Sequence, residues 1–121
     1  MYMEKGPFRV FAKLMKETVK IPVLLAGRMD NPEMASACIE DGTCDIISLG
    51  RPLLADPDYV NKLRMGRLEQ IRPCISCQEG CMGRIQHYSM INCAVNQQSA
   101  RERVTAYEPV VRPKRVVIAG G

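Results

Sequence analysis

Tryptophan is absent and phenylalanine occurs only twice, beside four tyrosines. That leaves little material for the aromatic platforms on which nucleic-acid bases stack. Runs of like charge are missing too: the seventeen Lys and Arg are spread along the chain, and the formal charge is only +4. A basic patch for nucleic acid or a membrane surface is therefore not expected. No apolar stretch approaches the ~20 residues that cross a bilayer. The opening Met1-Tyr2-Met3-Glu4-Lys5-Gly6-Pro7 lacks the apolar core of a signal peptide. These absences predict a cytoplasmic protein, in a compartment where thiols stay reduced. There, six cysteines favour metal or redox chemistry over disulfides. Histidine occurs once. His87 could be a ligand or a cofactor contact, although a satisfied structural histidine is the commoner use.

What is present is ordinary in bulk: 121 residues, 46% hydrophobic and 25% charged, a length and composition that suit one globular domain. Pro7 opens a segment of helical spacing, with Phe8, Phe11, Leu14, Met15 and Val19 on one face and Lys13, Lys16, Glu17 and Lys20 opposite. Ile21 to Ala26 reads as a strand closed by Gly27. Asn31-Pro32-Glu33 is a helix start, with Asn as cap and Pro in the first turn. That helix runs to Gly42, a C′ glycine. A second strand, Cys44 to Leu49, ends at Gly50, and a third helical stretch follows Asp56-Pro57 and stops at Gly66. The apolar runs Val23–Ala26 and Ile46–Leu49 suit parallel strands covered on both faces. Two parallel strands cannot stand alone as a sheet, so the pattern predicts neighbours outside this chain.

From Arg67 to about Arg112 the apolar periodicity fades, and a loop of that length is rare unless it carries function. Here it carries the cysteines. Cys74, Cys77 and Cys81 fall within eight residues, and Cys93 follows after eleven more. Four thiolates are what a [4Fe–4S] cluster requires, three from one tight loop and a remote fourth to close the cage. Structural zinc usually takes two paired knuckles, and this spacing supplies one pair, a third thiol and a distant partner. Spacing therefore favours the cluster and leaves zinc as the alternative. Cys38, at an apolar helix position, and Cys44, at a strand start, read as buried small hydrophobes.

Gly27-Arg28 follows the first strand and Gly50-Arg51 the second. In β/α barrels the loops after strands seven and eight frequently bind a phosphate, with help from a short helix such as Pro52–Ala55. Glycine lets backbone N–H groups approach, and arginine supplies a forked donor. The plainer account is that glycine ends strands and arginine solvates the loop mouth. Lys114–Ala119 reads as a last strand before Gly120-Gly121, similar to the opening of a dinucleotide-binding turn.

The stretches Ala26-Gly27-Arg28, Cys44 to Pro57 (with Leu49-Gly50-Arg51-Pro52), Ile71 to Cys77, and Cys93-Ala94-Val95-Asn96 together resemble the iron–sulfur branch of the old yellow enzyme family. That branch includes 2,4-dienoyl-CoA reductases, enoate reductases, trimethylamine dehydrogenase and bile-acid-inducible NADH:flavin oxidoreductases. The resemblance covers nearly the whole chain. It implies an α/β fold: residues 1–66 as the last quarter of an FMN-binding (β/α)8 TIM barrel, with strands seven and eight. Residues 67–112 would be the [4Fe–4S] segment and linker, and residues 113–121 the start of a truncated Rossmann-like FAD/NAD(P) domain. It further implies that Gly27, Arg28, Gly50 and Arg51 contact FMN and that Cys74, Cys77, Cys81 and Cys93 hold the cluster. Electrons would pass from NAD(P)H through FAD and the cluster to FMN, and on to an activated C=C bond of a small-molecule substrate. In the amine dehydrogenases of the branch the flow reverses. The family's proton-donating Tyr and substrate-orienting His lie on barrel segments upstream, so no catalytic residue is assigned here. The expected partner is the remainder of the same polypeptide, barrel strands one to six and the FAD domain, with oligomerisation open.

Overall fold

The structure, a computed structural model, describes residues 3–120. Met1 and Tyr2 of the opening segment and Gly121 of the closing glycine pair lie outside the described residues. The elements run α1 (Arg9–Thr18), β1 (Leu24–Leu25), α2 (Pro32–Glu40), β2 (Ile46–Ile47), α3 (Arg51–Ala55) and α4 (Tyr59–Arg64). Short turns follow: a 3-10 turn at Leu68–Gln70, a π-helical turn at Glu79–Gly83 and α5 at Arg84–Gln86. The order is that of an α/β protein.

Local signals place α2. The Asn31 side chain accepts from the Met34 N–H at 2.7 Å, Pro32 takes the first position, and Gly42 beyond the C-cap has φ +71°. β1 and β2 pair in parallel, Leu24 against Ile46 and Leu25 against Ile47. Asp45 locks α1 to this pair: its carboxylate takes the Val23 N–H at 2.7 Å and the Lys16 ammonium at 2.8 Å. The lysine bond and the backbone N–H hold Asp45 below the usual carboxylate range. Ala12, Val23, Leu25, Met29, Cys38 and Cys44 form the core. Burial pushes the Cys38 and Cys44 thiols upward, with Asp41 adding to the first and Cys38 to the second. Both behave as the small hydrophobes expected.

Two expectations need correction. The strands are two residues long rather than six, because a strand extends only as far as a neighbour pairs with it. On the sheet Leu25 is buried, whereas Leu24 is 58% exposed and uncovered. The apolar stripe of α1 is likewise uncovered, since Phe8, Phe11, Leu14 and Met15 are exposed and Ala12 is its buried residue. Lys114–Ala119, expected as a strand, forms none and is exposed throughout. It too lacks a strand to pair with. No helix among the described residues is long and apolar enough to cross a membrane.

Candidate functional site

Parallel pairing sends both glycine–arginine turns to the same edge of the sheet. Residues 26–30 and 48–52 line one cavity of about 320 Å3, joined by Cys74, Ser76 and Met82 from the cysteine segment. Gly27 has φ +115°, and a Cβ there would stand 2.7 Å from the Phe8 ring. Arg28 itself is left-handed at φ 50°, a conformation that costs about 1–3 kcal/mol in a non-glycine residue and gathers at binding sites. Its Nη1 donates to the Met3 carbonyl, while its buried Nε has no partner. Arg51 repeats the pattern with a buried, unpartnered Nη1. Leaving a charged donor buried and unpaired costs more than the ordinary 1–3 kcal/mol, so each guanidinium is set to meet an acceptor. Tyr59 steadies this edge: its buried hydroxyl donates to the Asp30 carbonyl at 3.0 Å, and burial, then Asp30, raises its pKa.

Cys74, Cys77, Cys81 and Cys93 all line a second, small cavity. Cys77 is exposed and the others half-buried, and none is in a disulfide. Ser76 and Gln78, on either side of Cys77, are left-handed at φ 57° and 60°. Such turns fold successive backbone N–H groups round a concavity, as at many iron–sulfur sites. Cys81 sits in the π-helical turn, a form that favours functional positions. Closure of the loop depends on Gly80. Its carbonyl accepts from the Asn92 N–H at 2.7 Å, and a Cβ would stand 2.1 Å from Asn92 Oδ1 and 2.7 Å from the Asn92 carbonyl. That approach carries the chain towards Cys93.

Among the described residues no three His, Cys, Asp or Glu gather tightly enough to hold one metal ion. A single zinc draws its thiolates to about 2.3 Å from one point, whereas a cubane takes one thiolate per iron at separate corners. Four thiols line this one cavity, the number of thiolates that a cubane takes. His87 is absent from this cavity and lies with Arg84 and Cys93 on another. The two cavities share a wall, since Arg51 and Cys74 line both.

Sequence reasoning passed over the positions that brace this arrangement. Asp56, almost fully buried, accepts from the Arg72 N–H at 2.8 Å and from Lys62 Nζ at 2.7 Å. Asn96 Nδ2 donates to the Leu54 carbonyl at 2.9 Å. Both stood inside motifs already noted, Asp56-Pro57 and Cys93-Ala94-Val95-Asn96, but a motif does not state its bonding partner.

Residues 4–70, more than half of the chain, match the family described as NADH:flavin oxidoreductase / NADH oxidase. Over 121 residues the chain is 43% identical to cinnamate reductase of Clostridium sporogenes, covering all of this chain and 18% of the relative. Bilirubin reductase of Mediterraneibacter gnavus is 45% identical over 111 residues, which span 92% of this chain and 17% of that protein. Among solved structures, a 2-naphthoyl-CoA reductase complex with 2-naphthoyl-CoA superposes with a TM-score of 0.83 at 31% identity, covering 88% of this chain and 16% of that one. The chain thus spans less than a fifth of the length of these relatives.

Proposed function

The chain belongs to the NADH:flavin oxidoreductase / NADH oxidase family, and from that premise we propose that it carries the FMN-phosphate and [4Fe–4S] sites of an NAD(P)H-dependent reductase of activated C=C bonds. Residues 1–66 serve as the last quarter of the FMN-binding TIM barrel, residues 67–112 as the cluster segment, and residues 113–121 as the lead into an FAD/NAD(P) region. The observation that carries the reading is the shared wall: Arg51 and Cys74 border both cavities, so two bound cofactors would be neighbours.

Bound FMN and cluster would supply two-electron and one-electron chemistry respectively. The chain's own residues do the holding. Arg28 Nε and Arg51 Nη1, buried without partners, meet the FMN phosphate from the two strand ends, and Gly27 leaves the backbone free to turn there. Cys74, Cys77, Cys81 and Cys93 ligate the cluster as thiolates. The half-buried Cys74 and the more exposed Met82 side chain line the flavin cavity on the side of the cysteine segment. The named activities of cinnamate and bilirubin reductase, both reductases of unsaturated compounds, support this substrate class over an amine.

The test uses the full-length protein. Purified without oxygen, it should contain about four irons and four sulfides per chain, with FMN. Replacing any of the four cysteines by Ser should remove most of the iron, whereas Cys38→Ser should not. Arg51→Ala should weaken FMN retention by about 1.5–3 kcal/mol, the value of a charge-assisted hydrogen bond, and leave iron content near wild type. Stoichiometric zinc without sulfide would sink the cluster assignment. Oxidation of amines with no reduction of enoates would reverse the proposed direction.

A further inference from the structure

Three hydrogen bonds from the two ends of the cysteine segment share a destination. Arg72, two residues before the first cysteine, gives its N–H to Asp56 at 2.8 Å and its Nη1 to the Ala55 carbonyl at 3.2 Å. Asn96, three residues after the last cysteine, gives its Nδ2 to the Leu54 carbonyl at 2.9 Å. Entry and exit of the cysteine segment are therefore stapled to three consecutive residues at one end of α3. The opposite end of α3 is Arg51, which lines both cavities.

Neither staple is a surface accident. Asp56 is 3% and Asn96 4% exposed, and buried polar groups are retained where their bonds are satisfied. Asp56 takes three bonds, from Lys62, Arg72 and Asp58. Asn96 also accepts the Gln98 N–H through Oδ1 at 3.2 Å, and its own N–H bonds the Cys93 carbonyl at 3.2 Å. Asp56, the C-cap of α3, ties the loop entry to α4 through Lys62, and Asn96 braces the loop exit through its Oδ1 while its Nδ2 reaches α3.

We propose that Asp56 and Asn96 are positioning residues for electron exchange: they clamp both ends of the cysteine segment to α3, so that this one short helix sets the separation of cluster and flavin. The proposal rests on the cofactor assignment above and adds to it a mechanical element. A clamp of this kind acts on distance and orientation, so its loss slows electron exchange without emptying either site.

The experiment compares full-length wild type with Asp56→Ala, Asp56→Asn and Asn96→Ala. Amide hydrogen exchange should rise at least tenfold across residues 71–78 in the Asp56 variants and across residues 92–98 in Asn96→Ala, with residues 9–49 unchanged. Iron and FMN contents should stay near wild type, and anaerobic single-turnover electron exchange between flavin and cluster should slow at least tenfold. Should Asp56→Ala lose its cluster, Asp56→Asn carries the test, because it keeps the shape and one acceptor while losing the charge. Unaltered hydrogen exchange and electron exchange in both Asp56→Asn and Asn96→Ala would overturn the clamp. So would equal loss of protection in residues 9–49, which marks general unfolding. A wild type without iron or sulfide refutes the cofactor assignment itself, and that result is visible before any variant is made.

Discussion

Between Arg9 and Arg64 the chain is organised by apolar burial around Val23, Leu25, Met29, Cys38 and Cys44, with regular elements supplying the faces. From Arg67 to Arg112 the buried residues are Gly80, Asn96 and Ser99, and no large apolar side chain is among them. Burial of apolar surface is worth about 25 cal/mol per Å2, and the second region makes almost no use of it. It depends on buried hydrogen bonds, on one close backbone approach and, in our reading, on the cluster. The first region has surplus apolar surface, as on α1. The second has a deficit, so its shape is expected to respond to small polar changes that the first would tolerate.

The largest expected effect comes from Gly80→Ala. The added methyl group must displace Asn92, including its backbone carbonyl at 2.7 Å, and overpacking of this kind costs about 1–3 kcal/mol. With no apolar core to absorb the strain, the loop should open. Iron content should fall by more than half while FMN retention and protection of residues 9–49 persist. Full iron loading in Gly80→Ala would break the contrast between the regions.

Acid sharpens the same comparison. Burial, the largest influence on Asp56, raises its pKa, but the bonds from Lys62 Nζ and the Arg72 and Asp58 N–H groups together outweigh it, and the net shift is downward. A carboxylate depressed in the folded state contributes stability that is fully present above its unfolded pKa, about 3.9. The contribution is lost as pH falls through the lower folded value. Protection at residues 71–78, corrected for intrinsic exchange, should therefore be flat from pH 8 to 5 and fall below about pH 4. Asp45 is also depressed, by Lys16 and then the Val23 N–H, but its side chain is far more exposed than that of Asp56, where solvent screens the pair. Loss of protection in residues 9–49 before residues 71–78 would reverse the ranking.

Legibility in the sequence followed the range of the interaction. The Asn31 cap and the turn at Gly42 were readable because each bond closes within a few residues. The grouping of the four cysteines was readable from their spacing, and all four line one cavity. The strand limits were not: Ile21–Ala26 contracted to Leu24–Leu25, and Lys114–Ala119 formed no strand, because pairing is a property of neighbours rather than of a segment. Asp56 with Arg72, 16 residues apart, and Asn96 with Leu54, 42 apart, leave no local periodicity to detect. The glycine at position 80 read as part of a cysteine spacer, and its reason, the passing Asn92 backbone, lies across the loop.

The smallest expected effect probes whether the two regions are independent at the cavity proposed for FMN. Tyr59 belongs to α4, yet its hydroxyl holds the Asp30 carbonyl, two residues from Arg28 in the turn after β1. Tyr59→Phe preserves the buried ring and removes only that donor, so the stability loss should be about 0.5–1.5 kcal/mol. The freed turn can then sample conformations in which the left-handed Arg28 relaxes and its side chain leaves the cavity that it lines. FMN retention should weaken by a few-fold, less than for Arg51→Ala, because the charge itself remains. Iron content should not change, since no bond from Tyr59 reaches the cysteine segment. Equilibrium dialysis of FMN and iron analysis on the same preparation would check both halves. Loss of iron together with FMN would show that the Asp30 turn and the cysteine loop move as one body, and would erase the distinction between the regions at their common wall.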